Sequence, residues 1–259
     1  MSGLEPILAH VVPFSLVMAR LAGLVVAAPI VSNVGVPMRA RALVAVTLAV
    51  AVYPTVPHAA MDPGQTGWVD LVPMLVGETL IGAAIGLIAA TPLLMMEMAG
   101  VTGGQMMGLG LARVYNPEMD TDMDVMGQLM FMAAAACFVS VGGLEWLFRC
   151  LASTFAHVPA GGIGISEAPL ELLVGVVTSG AEVALRVSSP IVAMVLLLVV
   201  AIGFLGKTMP QLNVMSIGFI LKVMGGLSAL ALSTTAMHTA VGDEIVRVLR
   251  TVADWASGL

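Results

Sequence analysis

Apolar runs close in length to a membrane-crossing helix succeed one another along this chain, at positions 11–31, 42–56, 71–96, 125–151, 190–205 and 214–232. Such a helix needs about 20 predominantly apolar residues to cross the hydrocarbon of a bilayer. Pro, Gly and many of the charges collect between the runs, as in SNVGVPMRAR, DPGQTG and HVPAGGIGISEAP. Charged residues make up 10% of the 259, far below the roughly one quarter usual in a soluble domain. The chain therefore reads as an all-α protein of the integral-membrane type, or as a subunit held among other apolar subunits. Nothing marks a second, water-soluble domain, so 1–259 is expected to form one.

The charges that remain exclude some classes of partner. Ten basic side chains are scattered from Arg20 to Arg250 and the net charge is −6, so no basic face exists to hold nucleic acid. Cys137 and Cys150 lie in or beside one apolar run, which fits small buried side chains rather than a disulfide framework. The opening MSGLEPILAH has no basic cluster before its apolar run, and insertion of the intact chain is the expectation. Twenty methionines supply flexible, polarizable filling for packing, or for a compliant seal.

The runs are interrupted in ways a simple anchor is not. Arg20, Glu78 and Lys222 fall inside apolar stretches, where an ionisable group normally faces protein or a water-filled cavity. Backbone freed by internal Pro and Gly must likewise be satisfied by neighbouring protein. Counting Lys and Arg on alternate sides gives no consistent topology: Arg39, Arg41 and Arg113 agree, but Lys207, Arg247 and Arg250 do not, whether or not 170–185 spans. The closing stretch 240–259 sets Ile245, Val248, Leu249 and Val252 near one helical face and reads as an amphipathic segment.

No constellation for bond chemistry stands up. His10, His58, His157 and His238 are far apart. The GKT at 206–208 lacks the glycines of a phosphate loop. Asp120, Asp122 and Asp124 have the spacing of a calcium loop, but Val125 stands where Gly is needed and Phe131 where the closing Glu belongs. The chain is read as not an enzyme, with no cofactor and no metal. The segment GGQMMGLGLARVY (103–115) is glycine-rich yet bulky, which fits a kinked packed helix or a mobile apolar plug. PQLNVMSIGFILKVMGG (210–226) sets a turn before a helix that carries Lys222 deep in an apolar run, where it snorkels or meets a partner.

This last stretch resembles the signature of the FliR family of type III secretion export-gate proteins: a Pro-Gln-x-Asn turn, then Ile-Gly-Phe, then Leu-Lys. Here these are Pro210, Gln211, Asn213, Ile217, Gly218, Phe219, Leu221 and Lys222. Residues 20–41, the GETLIGAAIG that begins at Gly77 and Glu78, and the loop from Gln105 to Pro117 follow in the family's order. Ile220, Met215, Leu111 and Val114 depart from the residues usual at their positions.

The resemblance implies a structural pore subunit of the flagellar export gate, built from broken helices and helical hairpins in the bacterial inner membrane at the flagellar basal body. Its partners would be FliP and FliQ homologues in a hetero-oligomeric core, with FlhB and FlhA homologues beside it, and unfolded flagellar proteins would pass through. On that reading 103–117 is a plug, with Gln105, Met106, Met107, Leu109, Leu111, Val114 and Tyr115 sealing the pore. Glu78 and Lys222 would fix interhelical or intersubunit geometry. The alternatives are the same role in a virulence injectisome, an independent solute transporter that uses Arg20, Glu78 and Lys222, and a passive membrane scaffold.

Overall fold

In the computed structural model, the described residues are 5–28, 37–56, 68–110, 125–161, 169–209, 211 and 214–258. Among them all regular structure is helical: α1 (Glu5–Ala27), α2 (Met38–Val52) with a 3-10 turn at Tyr53–Thr55, α3 (Trp68–Met107), α4 (Val125–Ser140), α5 (Gly143–His157), α6 (Pro169–Thr208) and α7 (Val214–Gly258). Four of these helices are long and apolar enough to cross a membrane, over His10–Ala27, Met38–Thr55, Leu71–Met107 and Val174–Thr208, and α4 with α5 forms a broken fifth candidate.

Three boundaries differ from the expected runs. The run 125–151 divides at Val141 and Gly142, where Gly142 takes φ +77° and opens α5. A positive φ is routine for Gly and rare for other residues. Conversely, 170–185 and 190–205 join into one helix straight through Pro190. Proline has no N–H for the carbonyl four residues back; here the Ser189 hydroxyl donates to that Arg186 carbonyl at 2.9 Å. The apolar run 214–232 likewise continues without a break into the amphipathic segment, because STTAMHTAVGDE contains no proline to stop it.

The chain divides into two compact units. The first takes residues 1–91, 142–176 and 245–259. Its core is built from Leu16, Leu21, Leu24, Ile85, Ile88, Leu151 and Phe155, and from Ile245, Val248, Leu249 and Val252 on the inner side of the last helix. Helices α1 and α3 meet almost backbone to backbone. A Cβ built on Gly82 would overlap the Arg20 carbonyl, and one on Gly86 would stand 2.9 Å from both the Leu24 carbonyl and the Ala27 methyl. Small residues four apart allow this approach and bring dispersion contacts that lipid-embedded helices depend on.

The second unit takes residues 92–141 and 177–244. Met107, Met126, Ile191, Val195 and Ala229 form its core, with Leu109, Met194, Val223 and Leu230 packed against it. Much of its apolar surface is left outward, including Leu196, Leu197, Val200 and Phe204 of α6 and Ile220 and Met224 of α7.

Candidate functional site

The first unit holds a buried polar node. Arg20 is fully buried on α1 and Glu78 nearly so on α3. The Arg20 Nε donates to Glu78 Oε2 at 2.5 Å, its second nitrogen to Thr154 Oγ1 at 3.0 Å and its third to the Val158 carbonyl at 3.1 Å. The guanidinium carbon lies 4.0 Å from the centre of the Phe155 ring. On the other side Glu78 Oε1 accepts the Gly161 backbone N–H at 2.9 Å. Thr154 completes the set by donating to the Leu151 carbonyl at 2.6 Å. A buried ion pair is sustainable when further hydrogen bonds occupy both ions, and charge-assisted bonds are the stronger kind. The node joins α1, α3, α5 and the turn after α5.

Sequence reasoning marked Arg20 and Glu78 as charges in apolar runs and left open whether Lys222 meets a partner. Glu78 belongs to Arg20. Thr154, Phe155, Val158 and Gly161 escaped the sequence reading, since a threonine or phenylalanine in an apolar helix carries no signal of its own. A second polar contact lies in the other unit, where the Ser179 hydroxyl donates to Glu244 Oε1 at 2.9 Å.

The glycine-rich segment resolves into a helix end. Gly103 to Met107 form the last turn of α3, and Gly108 follows with φ +88°. The Gly108 N–H meets the Gln105 carbonyl and the Leu109 N–H meets the Gly104 carbonyl, both at 3.0 Å. This pair of bonds is the Schellman arrangement, in which a left-handed residue satisfies the last carbonyls of a helix. Gln105 and Met106 are exposed, whereas Met107 is fully buried. Its thioether fills the space where a side chain on Gly226 would stand. Of the plug residues, Leu109 packs against the core of the second unit, and Leu111, Val114 and Tyr115 lie outside the described residues.

In the Pro-Gln-x-Asn stretch, Gln211 is exposed, and Pro210 and Asn213 lie outside the described residues. Gly218 is buried on α7, with Ile202 of α6 at 3.3 Å from its Cβ position. Phe219 is exposed and Lys222 half-buried. Among the described residues neither Glu97 nor any other carboxylate pairs with Lys222. The same residues hold no cluster of His, Cys, Asp or Glu suited to a metal ion. The arrangement pins helices and packs a helix end; it presents no nucleophile with a base.

Comparison with known proteins agrees with a helical membrane component. The model of the family described as bacterial export proteins, family 1, matches residues 11–248. The flagellar biosynthetic protein FliR of Escherichia coli K12 is 29% identical over 215 residues, 82% of this chain and 80% of that one. FliR of Bacillus subtilis is 26% identical over 206 residues, 78% of each. The secretion system apparatus protein SsaT of Salmonella typhimurium LT2 is 25% identical over 148 residues, 57% of this chain and 56% of that one.

Proposed function

The chain belongs to family 1 of the bacterial export proteins, and on that footing we propose that it is a structural pore subunit of the flagellar type III export gate. It assembles with FliP and FliQ homologues in the inner membrane, beside FlhB and FlhA homologues, and lets unfolded flagellar proteins pass. It performs no bond chemistry of its own. The flagellar branch is preferred over the injectisome because the similarity to E. coli FliR runs over 82% of the chain, against 57% for SsaT.

One observation beyond the family match carries the assembly reading. Helices α3, α6 and α7 contain 40, 40 and 45 residues. At 1.5 Å per residue each follows a path of roughly 60 Å or more, about twice the 30 Å hydrocarbon layer. Helices of this length with apolar sides left outward fit a setting in which protein partners share the covering with lipid.

The segment after α3 is the proposed closure. Gln105 and Met106 stand exposed at its root, and Leu111, Val114 and Tyr115 follow within the glycine-rich stretch. Met107 and Leu109 hold that root to the core, so they act as anchor rather than as moving seal. The test is an in-frame deletion complemented by the full chain. Loss of hook and filament proteins from the medium, restored by the chain, is expected; normal flagella with lost toxin secretion would transfer the role to an injectisome. Flagella and secretion both unchanged would remove the export reading.

A further inference from the structure

Helix α2 is attached to its unit along one narrow line. It packs on α1, and its buried residues are Ala45 and Ala49, one turn apart. Small residues four apart suit the close approach of membrane helices. Most of its remaining surface stands outward, with Leu43 67% and Val50 59% exposed and Val44 and Val46 exposed beside them. Past the first turn the polar side chain of α2 is Thr47. Its hydroxyl donates to the Leu43 carbonyl of the same helix at 2.8 Å, which removes the cost of placing it in an apolar medium.

The two ends of this surface differ from its middle. Arg39 and Arg41 stand in the first turn. Side chains on a helix lean toward its N-terminus, so guanidinium groups placed there reach away from the apolar middle. At the other end Tyr53 closes the helix. Its hydroxyl shares a 2.8 Å hydrogen bond with His10 Nδ1 near the start of α1. Its ring meets those of His10 and Phe14 edge-on, with centres 6.0 and 5.6 Å apart. With α2 packed on α1, this contact makes the two helices antiparallel and sets the start of one level with the end of the other. Their apolar stretches, His10–Ala27 and Met38–Thr55, have 18 residues each. That is about 27 Å of helix, against about 30 Å of hydrocarbon. Arginine at one edge and tyrosine at the other are residues that the boundaries of a bilayer favour.

We propose that the outward surface of α2 is a lipid-contact face. Acyl chains cover Leu43 to Val50, phosphates of one leaflet take Arg39 and Arg41, and the Tyr53–His10 pair lies at the headgroup level of the other leaflet. The inference takes its membrane setting from the function proposed above and adds which side of the subunit meets the bilayer in the assembled gate. Arginine and tyrosine set one bilayer thickness apart favour lipid over a neighbouring subunit, whose cover does not impose that spacing.

The test places one nitroxide at a time on α2, through Met38→Cys, Val46→Cys, Val50→Cys and Thr55→Cys. The full chain is assembled with the FliP and FliQ homologues of the same genome in vesicles of phosphatidylethanolamine and phosphatidylglycerol. Cys137 and Cys150 are buried and remain, and the unsubstituted chain, labelled alongside, gives their background. Contact of each label with oxygen, which concentrates in hydrocarbon, is compared with its contact with a water-soluble nickel chelate. From Met38 to Val46 the helix descends about 12 Å, over which the oxygen-to-nickel ratio is expected to rise roughly tenfold. It is expected to fall again at Thr55. Should Val46→Cys misfold, Val50→Cys gives the same reading. A label at Val46 that oxygen reaches in the chain alone but not in the gate overturns the inference, assigns the face to a partner subunit and leaves the assembly reading intact. A label at Val46 that nickel reaches as readily as at Met38 overturns the lipid face in favour of water. A chain that joins neither homologue, by native mass spectrometry, overturns the assembly reading, while oxygen contact at Val46 in that chain upholds lipid on α2.

Discussion

The Arg20 guanidinium and the Glu78 carboxylate, 58 residues apart in sequence, face each other at 2.5 Å with both ions buried. Their remaining bonds end on Thr154, Val158 and Gly161, so two charges fasten three helices and the turn that follows α5. The pair lies beside the Gly82 and Gly86 crossing of α1 and α3, and the two features enforce one another. Close backbone approach excludes lipid and water from the charges, and the charges fix the rotation of α1 on α3.

Removing one ion from such a pair leaves the other uncompensated. Arg20→Ala is expected to destabilise the chain by about 3 kcal/mol or more, read as a lower melting temperature in detergent and less protein in the membrane. Replacing both ions, in Arg20→Met with Glu78→Met, is expected to recover a large part of that loss. An Arg20→Ala chain as heat-stable as wild type would show that the pair is not a fastening.

Glycines of α3 provide a matched contrast. Nothing lies within 4 Å of a Cβ built on Gly77, whereas one on Gly82 collides with the α1 backbone. Gly77→Ala is therefore expected to be neutral, or stabilising by up to about 1 kcal/mol through helix propensity. Gly82→Ala should cost about 1–3 kcal/mol by forcing the helices apart. Equal melting temperatures for the two variants would contradict the close crossing.

Met107 and Gly226 make a second, separable contact. Gly226→Ala is expected to push the Met107 side chain out of its place and to loosen the root of the segment that follows. The readout is ion leak through the assembled gate. Met107→Ala in the same chain should restore room and reduce the strain, though not the lost packing. Leak from Gly226→Ala that the second substitution leaves unchanged would mean that Met107 is not the group displaced.

At Pro190 the Ser189 hydroxyl serves the Arg186 carbonyl. Ser189→Ala is expected to cost about 1 kcal/mol, the usual net value of one hydrogen bond. Pro190→Ala, which returns the backbone N–H, should largely cancel that cost in the double variant. Melting curves of the two single variants and the double variant decide it, and additive losses would refute the role assigned to Ser189.

Much of the helical design could be read along the chain, because run length and hydropathy are local properties. As far as they are described, the runs at 11–31, 42–56 and 71–96 fall on α1, α2 with its 3-10 turn, and α3, and the inner side of the last helix followed from Ile245, Val248, Leu249 and Val252. Where prediction and structure part, the reason lies in contacts made elsewhere. Pro190 looked like a boundary because its missing donor shows in the sequence, while the hydroxyl that replaces it shows only in three dimensions. GGQMM fitted either a packed helix or a mobile plug, and only the structure shows that it is the last turn of α3, closed by the bonds at Gly104 and Gly108.

The sequence by itself determined that the chain is helical and apolar, and that Arg20, Glu78 and Lys222 are charges set inside apolar runs. Hydrophobic transfer and the expense of an unpaired charge act on every residue wherever it lies, so they can be read without coordinates. Which charges meet was decided by the tertiary structure. Arg20 reaches Glu78 and then residues more than 130 positions away, and Met107 becomes an anchor because Gly226 leaves it space. Such pairings depend on how helices rotate and cross, and a one-dimensional pattern of hydropathy does not contain that information.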